Sequence, residues 1–164
     1  MKFSFFNVIS AISLLVSVNG GLGCSSLTPD PVGKLAKPLR CSLPSQLKLS
    51  EKVNIIGVFT TWDLKSQVQM SRFDKVRPFF GKKVGISYVF IDHDSRMVDG
   101  WVSLNKPIFP VMYNPRFMLC GKRVNRVPIT LILGASGKIC YSYQGAVTSK
   151  MLHSQIVDAL KNCK

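Results

Sequence analysis

The sequence predicts an α/β fold: a single domain built on a central mixed sheet flanked by helices, placed after an export signal. Three observations predict it. From about residue 52 onward, segments of strand character alternate with segments of helical periodicity. The run Asn54-Ile55-Ile56-Gly57-Val58-Phe59, rich in β-branched and aromatic residues, passes through a short polar turn straight into a helix-compatible stretch. Further on, two apolar runs separated by Gly134-Ala135-Ser136-Gly137 read as an antiparallel hairpin, followed by a last helix.

Taken in order, Asn54 to Phe59 is a buried strand, and Gln67 to Val76 a helix whose Met70, Phe73 and Val76 form one apolar stripe and which stops at Pro78. Gly81 to Lys83 turn the chain into a second strand, Val84 to Ile91, ended by Asp92-His93-Asp94-Ser95. A helical stretch from about Ser95 to Leu104 follows, then a proline-punctuated segment with a brief extended piece at Phe109 to Met112. Phe117 to Gly121 reads as one helical turn. Val127 to Leu133 is a strand that opens on a proline, where a strand tolerates one. Lys138 to Tyr143 is its antiparallel partner, and Thr148 or Ser149 caps a final helix carrying Leu152, Ile156 and Leu160 on one face. The expected order is β-α-β-α-β-β-α, without internal repeats.

Residues 1–23 have the make-up of a signal peptide: Lys2 as the positive start, an apolar stretch from Phe3 to Val18, and Gly20, Gly21 and Gly23 as small residues for cleavage. The stretch is too short and too interrupted by Asn7, Ser10, Ser13 and Ser17 for a membrane span. Gly21-Leu22-Gly23-Cys24 resembles a bacterial lipobox, which makes Cys24 a candidate for lipidation and the protein a candidate periplasmic lipoprotein; plain secretion is the alternative. Residues 24–50, with Pro29, Pro31, Pro38 and Pro44, have linker composition, leaving 51–164 as the folded domain. After export five cysteines remain, Cys24, Cys41, Cys120, Cys140 and Cys163; lipidation of the first leaves four for disulfides, in three alternative pairings.

The chain carries a formal net charge of +14, of which residues 1–23 contribute only Lys2. Such a field favours anionic partners. The basic residues are dispersed, and an exported protein without a nucleic-acid motif is not expected to bind nucleic acid.

Thr60-Thr61-Trp62-Asp63-Leu64-Lys65-Ser66 is the most informative segment. With Val58 and Phe59 before it, Phe109-Pro110-Val111, Val124-Asn125-Arg126-Val127-Pro128-Ile129-Thr130, and Gly137-Lys138-Ile139 followed by Gly145, it resembles the TlpA-like branch of the thioredoxin-fold (redoxin) family over about residues 47–161. The resemblance implies a thioredoxin-like fold, a cis proline at Pro128, and a redox pair at Asp63 and Ser66. Those two positions hold no sulfur, and disulfide exchange needs a thiolate and a second thiol. Asp63 instead suits the start of a helix, where a capping carboxylate is worth about 1 kcal/mol. No catalytic residue is expected at this corner. The groove that redoxins use for extended peptides is expected to survive, with Trp62, Lys65, Arg126, Val127 and Pro128 forming it and a protein or peptide as partner.

The competing expectation is a thiol-disulfide oxidoreductase using relocated cysteines, Cys120 and Cys140; against it, no C-x-x-C spacing occurs. Asp92-His93-Asp94 reads as polar loop residues, since three adjacent side chains at a strand end rarely converge on one ion. No phosphate loop, nucleophile elbow or zinc motif is present, and no metal or cofactor is expected.

Overall fold

The computed structural model describes Leu49 and residues 51–163. The signal, Cys24, Cys41 and nearly all of the linker expected at 24–50 lie outside the described residues.

The chain runs β1 (Val53–Phe59), α1 (Leu64–Val76), β2 (Val84–Phe90), α2 (Ser95–Asn105), β3 (Val111–Tyr113), β4 (Met118–Leu119), β5 (Lys122–Arg123), β6 (Ile129–Gly134), β7 (Ile139–Gln144) and α3 (Ser149–Asn162). Five strands form one mixed sheet in the order β3-β2-β1-β6-β7. β2 lies parallel to β1 in full register, Val53 opposite Val84 through Phe59 opposite Phe90. β6 returns antiparallel on the other side of β1, and β7 hairpins back along β6 as the last strand of the sheet among the described residues.

The central strand is buried along its whole length because both its faces are covered, and it is apolar but for Asn54. Val53, Ile55 and Phe59 join Phe73 of α1, Tyr88 and Phe90 of β2, and Leu152 and Ile156 of α3 in one core cluster. Ile56 and Val58 point the other way, onto Val89, Leu131, Leu133, Ile139 and Phe117. All three helices contribute to the first cluster, while Leu49, Met112, Leu119, Val124 and Val127 close over the second. Phe59, Phe73 and Tyr88 pack ring against ring, with centroids 5.3 to 6.1 Å apart.

Four local expectations are corrected. α1 begins at Leu64 and not at Gln67, because the Asp63 carboxylate caps it. The helical turn expected at Phe117 to Gly121 is absent. In its place a two-residue turn joins β4 to β5, with Cys120 (φ 53°) and Gly121 (φ 74°) both left-handed, as a tight hairpin demands. The extended piece expected at Phe109 to Met112 lies at β3, where pairing with Tyr88 to Phe90 of β2 begins at Val111. β6 starts at Ile129, one residue after Pro128, which has no N–H to give the ladder.

A candidate polypeptide-binding corner

β1 delivers the chain to the corner at Phe59, whose carbonyl accepts the Ile91 amide at 3.0 Å as the ladder with β2 continues past its end. The next residues are held by hydrogen bonds from three directions. The Thr60 amide reaches the Ser66 hydroxyl at 3.4 Å. The Thr61 amide donates to both Asp92 carboxylate oxygens at 3.1 Å, and the Thr61 hydroxyl donates to Oδ1 at 2.7 Å. Gln67 Nε2 donates to the Thr61 carbonyl at 3.0 Å. At the head of α1, the Ser66 amide donates to Asp63 Oδ2 at 2.7 Å, which supplies one orphan helix donor with its acceptor.

Both positions to which the resemblance assigns the redox pair are thereby committed to structure. Asp63 is a cap. Ser66 is fully buried, its hydroxyl accepting from the strand end. Trp62 is 67% exposed and Leu64 71% exposed, with Val68 one turn further along α1, so the corner presents an apolar surface to solvent. Lys65 and Arg126 are exposed, Val127 is half-buried and Pro128 is buried.

The Val127–Pro128 peptide bond is cis. β6 register brings it to the corner: Val58 faces Ile129, so one step further Pro128 lies across from Phe59 and Val127 from Thr60. The Pro128 carbonyl is anchored by the Gly145 amide at 2.8 Å. The strand-end turn, the head of α1 and the proline loop therefore share one end of the sheet.

Asp92, His93 and Asp94 lie in the loop between β2 and α2, as expected of polar loop residues, and Asp92 has a structural role there that the sequence reading did not give it. It is 1% exposed and clamps Thr61, while Asp94 caps α2 through the Arg96 amide and pairs with the Arg96 side chain. A carboxylate just past β2, level with the threonines past β1, was the available signal, because parallel strands in register end side by side. The exposed Leu64 and Val68 were also missed. Their helical spacing from each other pointed to one face, and nothing in the apolar pattern distinguished that face from a buried one.

The cysteines lie elsewhere. Cys140 of β7 is disulfide-bonded to Cys163 at the end of α3. Cys163 packs against Gly134, where an added Cβ would come within 2.7 Å of the Cys163 carbonyl oxygen, so only glycine admits that approach. Gly134 faces Val53, the start of β1, which puts this bridge at the opposite end of the sheet from Asp63, about 20 Å away along the strand. Cys120, at the β4–β5 turn, is also disulfide-bonded. The structure does not join Cys120 to Cys140.

The order of elements, the mixed sheet and the cis proline define a thioredoxin-like fold. The chain is similar to a putative thioredoxin from Neisseria meningitidis, with 20% identity, 70% of this chain and 78% of that one covered, and a TM-score of 0.60. It is similar to a putative thiol:disulfide interchange protein DsbE from Chlorobium tepidum, with 18% identity, 78% and 96% covered, and a TM-score of 0.59. A secreted disulfide oxidoreductase of Mycobacterium tuberculosis, homologous to Escherichia coli DsbE, matches at 14% identity over 67% and 84%, with a TM-score of 0.56. At these identities the likeness is one of fold. No protein-family profile and no curated protein sequence matches the chain.

Proposed function

We propose that this is an exported thioredoxin-fold protein, held at the membrane by a lipid on Cys24, that has given up dithiol chemistry and binds polypeptide through the former redox corner as a chaperone-like or assembly module. One observation carries the reading: Asp63 and Ser66 stand where the resemblance puts the reactive pair, and both are consumed by hydrogen bonds that build the corner. A surface of Trp62, Leu64 and Val68 beside the proline loop supports binding without chemistry, because large exposed apolar groups cluster where partners dock. Export is supported by the signal-like first 23 residues and by disulfides at Cys120, Cys140 and Cys163, which belong to an oxidising compartment.

The test is capture of reduced, carboxymethylated α-lactalbumin, a permanently unfolded polypeptide, by the full exported protein. Arg126→Glu and Trp62→Ala are each expected to weaken capture, while the unmodified protein reduces insulin no faster than dithiothreitol alone. Capture unchanged in both variants removes the groove model. Insulin reduction lost on a single Cys→Ser change at Cys120 or Cys140 replaces it with a relocated redox centre.

A further inference from the structure

Between α1 and β2 the chain makes two single-turn 3-10 helices, Arg77–Phe79 and Gly81–Lys83. They are closed by the Phe80 amide on the Arg77 carbonyl at 3.0 Å and the Lys83 amide on the Phe80 carbonyl at 3.2 Å. Phe79 projects from the first, 72% exposed, its ring resting edge-on against His153. Arg77 ties this turn to the segment that leads into β3. Its guanidinium lies 5.4 Å from the centre of the Phe109 ring, and the neighbouring Ile108 is 64% exposed. Arg77, Lys82 and Ile108 border one hollow, and Leu104, in the last turn of α2, is exposed as well.

These apolar tips stand in a basic field. Lys52, Lys75, Arg77, Lys82, Lys83 and Lys106 are exposed on these segments and at the start of β1. Against the six stand only the carboxylates of Glu51 and Asp74 on the same segments. Among the described residues the only side-chain ion pair joins Arg96 to Asp94, so no salt bridge there neutralises the six.

The N-terminal part of the chain arrives at the same place. Val53, the first residue of β1, pairs with Val84, the residue after Lys83. The stretch that carries Cys24 therefore joins the domain beside this surface. Residues 25–48 hold Lys34, Lys37, Arg40 and Lys48 against Asp30, which is the wrong sign to cover a basic patch and the right sign to extend one.

We infer that this end of the domain lies on an anionic phospholipid surface, with Phe79 and Ile108 entering the headgroup layer and the lysines set against lipid phosphates. Exposed aromatic and aliphatic groups rimmed by Lys and Arg have the make-up of an interfacial membrane contact. Basic residues beside an anchor are drawn to an anionic leaflet. The inference rests on the membrane location proposed above and adds an orientation to it. The polypeptide-binding corner lies at the other end of β1, about 20 Å along the strand, and faces away from the bilayer.

The probe is sedimentation with vesicles of phosphatidylglycerol in phosphatidylcholine, against phosphatidylcholine alone. The protein is the mature chain from Cys24 onward without lipid, which keeps the whole folded domain and all five cysteines. At low salt it is expected to bind the anionic vesicles and not the neutral ones, and to be released as salt rises. K82Q/K83Q/K106Q is expected to weaken binding about a hundredfold, since each cation near an anionic bilayer contributes about fivefold. Phe79→Ala is expected to weaken it about tenfold through lost apolar contact. R116Q/K122Q/K150Q removes the same charge from exposed positions at the corner end and is expected to leave vesicle binding nearly unchanged. An unchanged thermal melt establishes that each variant is folded. No binding to anionic vesicles, an equal loss in the two triple variants, or full affinity in Phe79→Ala overturns the inference. Binding to polyglutamate without binding to vesicles also overturns it, by making the patch a site for an acidic protein. If the exported, lipid-bearing protein sediments with vesicles that the lipid-free chain ignores, this surface fails and the lipid anchor stands; if neither sediments, the membrane location fails too.

Discussion

The two ends of β1 put opposite materials to the same use. At its C-terminal end, where the resemblance expects sulfur, the corner is held by oxygen: the Asp63 carboxylate on α1, the Ser66 hydroxyl on Thr60 and the Asp92 carboxylate on Thr61. At its N-terminal end, the α3 terminus is fixed to the sheet by sulfur, through Cys140 and Cys163 against Gly134. Cys140 and Cys163 join elements, and the positions to which the resemblance assigns the reactive pair hold residues that build the corner. A corner without sulfur thus need not be a collapsed one. Its backbone remains pinned while its rim of Trp62 and Leu64 stays open to solvent.

The most forceful way to break this contrast is to return sulfur to the corner. A thiolate at residue 63 would sit at the head of α1, where the helix end favours negative charge and lowers a thiol's pKa. The double variant D63C/S66C is expected to turn insulin reduction from background into measurable turnover, followed by precipitation of the insulin B chain. A folded variant with accessible thiols and no turnover shows that the corner has lost more than its sulfur.

The next effect lies at the other end. The Cys140–Cys163 bridge closes a loop with a sequence separation of 23. The chain-entropy account puts removal of such a loop closure at about 3 kcal/mol. The variant C140A/C163A is therefore expected to lower the denaturant midpoint accordingly, with unfolded-polypeptide capture at the corner unchanged below the transition. Loss of capture in the folded variant couples the two ends and removes the contrast.

Asp92 tests the corner's own scaffold. Replacing it by Ala strips the buried Thr61 amide and hydroxyl of their acceptor, an expected loss of about 2 kcal/mol in urea denaturation. Asp94→Ala, at the same loop, removes a cap on the exposed α2 and is expected to cost about 1 kcal/mol or less. Equal losses would mean that Asp92 is no clamp.

How much of this was written in the sequence depends on whether a feature is local or assembled. The strand at Asn54 to Phe59, the helix at Ser95, the cap at Thr148 and the turn before β7 are local: apolar run, capping residue and glycine each act within a few neighbours, and each was placed within one or two residues. The hairpin at Cys120-Gly121 was misread because its signal is a pair of left-handed residues, and a cysteine there does not announce a positive φ. At the corner, Trp62, Asp63, Ser66 and Pro128 were legible as a motif. Asp92 was not, because its role exists only once β2 lies beside β1 and their ends align.

The smallest expected effect concerns two tyrosines on β7, outside both ends of the contrast. The hydrogen bond to Asp158 pushes Tyr141 up to about 12, and burial pushes Tyr143 up to about 12. Each therefore holds its proton more firmly when folded than when unfolded, where tyrosine titrates near 10. Their contribution is intact below pH 10 and is lost as pH rises toward 12, so stability falls across that window. Tyr143 is the sharper probe, since its buried hydroxyl has no hydrogen-bond partner among the described residues. Tyr143→Phe removes an unsatisfied polar group, and is expected to change stability at neutral pH by less than about 1 kcal/mol, in the stabilising direction if at all. The same variant is expected to flatten the alkaline fall in denaturant midpoint. A clear loss of stability at pH 7 together with an unaltered alkaline limb would mean that the hydroxyl is bonded in solution, and that water or another part of the chain reaches it between β7 and α3.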